Sequence, residues 1–156
     1  MSYDHSLNIT ATVKPGTTHA ELDEAFSEIL KYFDVKHFAE MNQSYRHESS
    51  FDESSGELFL YTAGDVGDFY IEKVKAVLKK LGMLTVKPGF ARLTDHDSGD
   101  TENAVTKIVF GSSDEAVENH EKTLAVEAAM ESIQSFLHEN QYDEVKKMLC
   151  IAVGVE

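Results

Sequence analysis

The chain has 156 residues, enough for a sizeable hydrophobic core without covalent staples. Acidic residues outnumber basic ones 28 to 14, a formal net charge of −14, which disfavours direct binding to nucleic acid or to an anionic membrane surface. Cys150 is the single cysteine, so no intrachain disulfide can form, and no apolar run approaches the ~20 residues of a spanning helix.

Met1-Ser2-Tyr3-Asp4-His5 lacks the basic flank and apolar core of a signal peptide, so the cytoplasm is the expected compartment. Leu7–Val13 alternates apolar and polar side chains at period two and predicts a strand, closed by Lys14-Pro15-Gly16. Thr18 and Glu21 have capping-box spacing, and Leu22, Ala25, Phe26, Ile29, Leu30 and Phe33 then mark one helical face, predicting a helix from Thr18 to Phe33. Asp34 to Gln43 is irregular, and Tyr45 to Glu53 reads as a polar edge strand. Asp52-Glu53-Ser54-Ser55-Gly56 then turns it into a hairpin with Glu57–Thr62.

Asp65 is the expected cap of a second helix, with Val66, Phe69, Tyr70, Val74, Val77, Leu78 and Leu81 as its stripe and Gly82 at its close. Met83–Val86 and Phe90–Leu93 predict a strand broken at Pro88-Gly89, and Ala104–Phe110 predicts another. Ser112 and Glu115 repeat the capping-box spacing before a long helix ending near Glu139-Asn140. Tyr142, Val145, Met148 and Leu149 then suit a helix, whereas Leu149 to Val155 suits a sixth strand, the favoured reading. The pentapeptide Thr-Val-Lys-Pro-Gly occurs at Thr12–Gly16 and again at Thr85–Gly89, as a useful turn used twice.

These elements predict a single α+β domain over 1–156. Its first part, 1–94, resembles the βαββαβ order of the ferredoxin-like plait, a mainly antiparallel sheet with helices on one face. The remainder, 95–156, extends it by a third βαβ unit: hairpin, long helix and C-terminal strand. The likeness is one of element order, and that order serves enzymes, regulators and binders alike.

No spacing points to catalysis or to a cofactor. The acids of 95–102 do not fit a calcium loop, whose glycine should follow the third acidic ligand and whose twelfth position is here Thr106 and not glutamate, and read as a solvated turn. The seven histidines contain no helical i, i+4 pair, and Gly-x-Ser-x-Gly is absent. Cys150, in an apolar run, reads as inert packing. Ala63-Gly64-Asp65-Val66-Gly67-Asp68 resembles a phosphate-cradling turn, but its two aspartates repel phosphate.

Lys73, Lys75, Lys79 and Lys80, with Lys87 nearby, form a basic strip that would suit an anionic ligand or the acidic surface of a second copy. Tyr45, His47, Tyr61, Tyr70 and Arg92 are the candidates for lining a pocket between sheet and helices. The leading expectation is a non-catalytic protein acting by association with a protein partner or with itself. The alternatives are an acidic mimic that occupies the nucleic-acid site of a basic protein, and a small-molecule binder or enzyme using that pocket.

Overall fold

The computed structural model describes residues 2–43, 45–99 and 104–156, the side chains of Ser2 and Tyr3 excepted. It is an α+β structure that divides into two compact units, Met1–Ser113 and Asp114–Glu156. In the first, β1 (Ser2–Thr12) is the central strand of a five-stranded, wholly antiparallel sheet of order β2-β3-β1-β4-β5. Its neighbours are β2 (His47–Phe51), β3 (Glu57–Gly67), β4 (Gly89–Asp95) and β5 (Val105–Phe110). Four helical segments complete the unit: α1 (His19–Ala25), α2 (Ser27–Tyr32), a 3₁₀ helix (Phe38–Gln43) and α3 (Tyr70–Leu84).

Strand alternation decides which face the helices cover. Leu7 and Ile9 of β1, Leu58 and Leu60 of β3, and Ala91 and Leu93 of β4 lie on one face. They form a single buried cluster with Leu22, Phe26, Ile29, Phe38, Met41, Val74, Val77 and Leu81 from all four helical segments. Each large aliphatic or aromatic side chain so buried contributes about 1.5–3 kcal/mol of transfer free energy. The alternate residues Asn8, Thr10, Phe59, Tyr61, Arg92 and Lys107 fall on the opposite face, and none of these six is buried.

The predicted capping box is present. Glu21 N–H donates to Thr18 Oγ1 at 3.2 Å, and Thr18 N–H donates to Glu21 Oε2 at 2.7 Å. The predicted single helix is broken at Phe26, where the ladder tightens and the Phe26 ring packs 4.8 Å from that of Phe38. The hairpin turn is held by Asp52, whose Oδ1 accepts from Ser54 Oγ and Ser54 N–H, and by Gly56 at φ 75°. These donors hold the Asp52 carboxyl below its usual range, the Ser54 hydroxyl most of all.

Three expectations are corrected. Asp65 does not cap a helix. It lies inside β3, which runs to Gly67 because Ser2–Ser6 supplies its antiparallel partners, and α3 begins only at Tyr70. Gly82 is not a left-handed terminator either. Helix α3 runs through it to Leu84, and the missing side chain admits the Gly111 carbonyl, into which a Cβ would project. That displaces the predicted strand start at Met83. Only Thr85 bridges the sheet there, opposite Val13, and β4 starts at Gly89. The two copies of the repeated pentapeptide therefore meet each other. Beside the Val13–Thr85 bridge, Val86 N–H donates to the Thr12 carbonyl at 2.9 Å and Lys14 N–H to that of Leu84 at 2.7 Å.

The second unit is helical throughout: α4 (Asp114–Ile133), a 3₁₀ turn at Gln134–Phe136 and α5 (Glu139–Val153), with α4 and α5 in contact. The predicted sixth strand is the third correction. Leu149–Val153 is the last part of α5, framed by a capping box between His138 and Gln141 and by Gly154 in the left-handed conformation at φ 81°. The long predicted helix breaks after Ile133, and Cys150 is half-buried on α5.

Alanine in place of glycine inside a helix normally stabilises by up to about 1 kcal/mol. Gly82→Ala is expected to do the opposite, lowering stability by about 1–3 kcal/mol as overpacking against Gly111 forces α3 from β5. A urea midpoint that stays level or rises would contradict this close approach.

Candidate docking face

The sheet's second face is arranged in rows by the register. Glu48 lies opposite Tyr61, Tyr61 opposite Asn8, Asn8 opposite Arg92 and Arg92 opposite Lys107, one residue from each strand in the order β2-β3-β1-β4-β5. The next row holds Ser50, Phe59 and Thr10 on one side and Phe90 and Val109 on the other, Phe90 following Ala91, the last β4 residue paired with β1. Glu48, Ser50, Asn8, Thr10, Arg92 and Lys107 are exposed, whereas Phe59, Tyr61, Phe90 and Val109 are half-buried. A third row, Ala63, Ser6, Thr94 and Val105, is partly closed by His96, whose Nε2 lies 2.8 Å from Ser6 Oγ.

The three rows described are aromatic and carry one net positive charge, while Asp4, Asp65 and Glu57 add carboxylates to the same face beyond them. Lys107 Nζ stands 5.0 Å from the centroid of the Phe90 ring, a cation–π contact. Among the described residues Arg92 and Glu48 have no ion-pair partner, so both present unpaired charge to solvent. Three aromatic rings and an unpaired arginine on the sheet face that the helices of its own unit leave uncovered are the residue types that anchor protein interfaces.

The five pocket candidates do not converge. Tyr61 and Arg92 lie on this open face, in one row and separated by Asn8. His47 and Tyr70 lie on the helix-covered face, where both rings pack on Phe33, with centroids 4.6 Å and 6.1 Å from it. Tyr70 is 1% exposed. Its phenol lies 3.1 Å from Thr62 Oγ1, and burial pushes its pKa up to about 12, which makes it a packed, neutral group. Tyr45 is 91% exposed and accepts a hydrogen bond from Arg46 Nε at 2.9 Å. Two surface hollows, of about 300 Å³ beside Asp4, Arg46, Gly64 and Asp65 and about 600 Å³ around His138 and Tyr142, are lined by none of the five.

The basic strip exists as one side of α3, but its charges are partly answered. Lys73 Nζ is 3.4 Å from Glu28 Oε2 on α2, and Lys75 Nζ is 3.5 Å from Glu72 Oε1 on its own helix. Lys79 and Lys80 are exposed. Among the described residues no group of histidine, cysteine and carboxylate side chains has the geometry of a metal site, and Asp100–Glu102 of the acidic turn lie outside them. No helix is long and apolar enough to cross a membrane among the described residues.

Sequence reasoning selected Tyr61 and Arg92 but passed over Glu48, Phe59, Phe90 and Lys107. The available signal was period-two parity. Phe59 and Tyr61 alternate with Leu58 and Leu60, and Phe90 and Arg92 with Ala91 and Leu93, so each pair had to share the face away from the core. Comparison with known proteins finds no matching family model, no matching curated protein and no matching solved structure.

Two histidines of the first unit are shifted in opposite directions. His37 Nδ1 is 2.9 Å from Asp23 Oδ2, and that hydrogen bond raises its pKa above the ordinary 6.5. The same carboxylate accepts from Phe38 N–H at 2.7 Å, tying α1 to the 3₁₀ helix. His47 is lowered from 6.5, first by burial and then by the Arg46 charge, and its enclosed Nδ1 finds no hydrogen-bond partner among the described residues.

The linkage signs follow. The His37–Asp23 contribution is complete below 6.5 and is lost as pH rises through the raised folded value. His47 acts oppositely, with its contribution complete above 6.5 and lost as pH falls towards its lowered value. In an NMR titration His37 should therefore titrate above 6.5 and His47 below it, and Asp23→Asn should return His37 to the ordinary range. A reversed order of the two midpoints would refute the assignment.

Proposed function

We propose that this chain works by protein–protein association and that the open sheet face is its docking surface. The observation that carries the reading is the sheet face opposite α1–α3, on which Phe59, Tyr61 and Phe90 stay half-exposed beside the unpaired charges of Arg92 and Glu48. We also propose the ferredoxin-like plait as the fold of the first four strands. The order β2-β3-β1-β4, with helices α1–α2 after β1 and α3 after β3, supports it. That fold serves many activities, so the functional argument rests on the face alone.

The same face supports a second reading, because aromatic rings beside cations are also what stacks the bases of single-stranded nucleic acid. Charge weighs against it. Only Arg92 and Lys107 are cationic in the two clearest rows, Glu48 stands in the same row, and the chain carries a formal −14. A phosphate backbone would meet net repulsion at the low salt where such binding is strongest.

A photo-cross-linking residue at Asn8 is expected to give discrete protein adducts, while the same label at Lys79 on α3 gives none. Tyr61→Asp should reduce the Asn8 adducts at least tenfold with an unchanged circular dichroism spectrum. Equal labelling from both positions, or adducts indifferent to Tyr61→Asp, would overturn the docking role. Fluorescence anisotropy with single-stranded RNA at low salt should stay flat, and saturable binding there would replace it with the nucleic-acid reading.

A further inference from the structure

We infer that the occupant of the open face is a second copy of this chain, docked about a two-fold axis parallel to β1 and passing over Asn8 and Thr10. The inference rests on the association reading above and adds its partner and its geometry.

The order of charges along one row selects this geometry. Rotation about an axis parallel to the central strand inverts strand order and keeps each residue at its own level. It therefore sets β2 over β5 of the second copy, β3 over β4, and β1 over itself. In the first row Glu48 then faces Lys107 of the second copy, Tyr61 faces Arg92, and Asn8 faces Asn8. In the next row Phe59 faces Phe90, Thr10 faces Thr10, and Ser50 faces Val109. All of these contacts but Ser50 against Val109 have a chemical complement: an ion pair, an arginine over a tyrosine ring, an aromatic pair, and amide and hydroxyl groups that both donate and accept. The off-axis contacts occur twice and the Asn8 and Thr10 self-contacts once on the axis, as an isologous interface requires.

The competing two-fold, lying across the strands, lacks this property. It returns each strand to itself, so Arg92 and Lys107 approach the cations of their own strands while Glu48 approaches its own copy. Like charges so placed disfavour the complex. The row pattern thus selects one axis.

Dimensions agree with a reversible complex. Five strands spaced ~4.8 Å apart span about 24 Å, and three rows of alternate residues extend about 20 Å along them. Two such faces bury roughly 1,000 Å² in total, at the lower end for specific association. Stacked sheets lie about 10 Å apart and turn by about 30°, which displaces the edge strands by about 5 Å. Glutamate and lysine stems at Glu48 and Lys107 are long enough to span that offset, whereas the central Asn8 and Thr10 lie close to the axis and need no such reach.

The charge pattern also provides a reciprocal test. By sedimentation velocity at physiological ionic strength, where a Debye length of about 8 Å screens the repulsion between two acidic chains, the protein is expected to dimerise as its concentration rises. Glu48→Lys would set two cations against each other at both edges, and Lys107→Glu two anions. Each single variant should dimerise at least tenfold more weakly. Both positions are exposed, so thermal stability should stay unchanged. An equimolar mixture of the two variants should form a heterodimer, and the double variant should recover the homodimer, because both restore opposite charges at every edge contact.

Single variants that dissociate without rescue in the mixture would refute the axis. A wild-type chain that stays monomeric at millimolar concentration would refute self-docking. The association reading then stands or falls separately, on whether Tyr61→Asp abolishes the Asn8 adducts to another protein. A dimer indifferent to Glu48→Lys, Lys107→Glu and Tyr61→Asp alike would refute both.

Discussion

The register of β1 against its two neighbours is the constraint on which the rest depends. β1 pairs with β3 along its whole length and with β4 from His5 to Ile9, so a single strand fixes the faces of three. A slip of one residue would turn Leu7 and Ile9 to solvent and drive Asn8 and Thr10 into the helices. Burying those amide and hydroxyl groups without partners would cost about 1–3 kcal/mol each. The buried cluster under the helices therefore holds the register, and the register in turn sets the order of charges on the open face. Core packing and surface pattern are two consequences of the same pairing.

The composition of that face bears on its use. A sheet face of leucine and valine would be insoluble when bare and indiscriminate when covered. Here the strand at the centre contributes Asn8 and Thr10, which hydrogen-bond water while exposed and must find polar partners if covered. The aromatic side chains sit on either side of it, and the opposite charges of Glu48 and Lys107 at the two edges. Affinity on such a surface comes from the rings, and orientation comes from the polar spine and the edge charges. The formal charge of −14 opposes close approach of two chains at long range, which keeps any self-association modest.

Legibility in the sequence followed the strength of local pattern. Leu7–Val13 and Glu57–Thr62 announce strands because one of their faces is buried and their side chains alternate accordingly. Ser2–Ser6 and Ala63–Gly67 show no such alternation. They are strands because each supplies the other's hydrogen-bond partners, a non-local fact. Gly82 follows the same logic, since its role is set by Gly111, far along the chain, and a helix-closing glycine was the only local reading open. Leu149–Val153 was ambiguous because a short apolar run fits either period. Gly154 behind it was the unused sign of a helix end. For the candidate site, parity could pair Phe59 with Tyr61 and Phe90 with Arg92. It could not order the strands, so the row joining Glu48 to Lys107 was out of reach.

The helix-covered aromatic group clarifies what the open face is not. His47, Phe33, Tyr32 and Tyr70 gather rings and polar tips at one end of the core, the composition often associated with a binding site. Yet the two phenol tips there answer internal needs. The Tyr32 hydroxyl accepts from Gly67 N–H at 2.8 Å at the end of β3, and Tyr70 shares a hydrogen bond with Thr62. Burial biases His47 towards its neutral form, which suits a packed ring more than a proton carrier. These groups hold β3 and α3 in place. On the open face Arg92 and Glu48 hold nothing among the described residues. Charged side chains that satisfy no internal partner, set beside half-exposed rings in a fixed order, are what a docking partner can use without dismantling the fold.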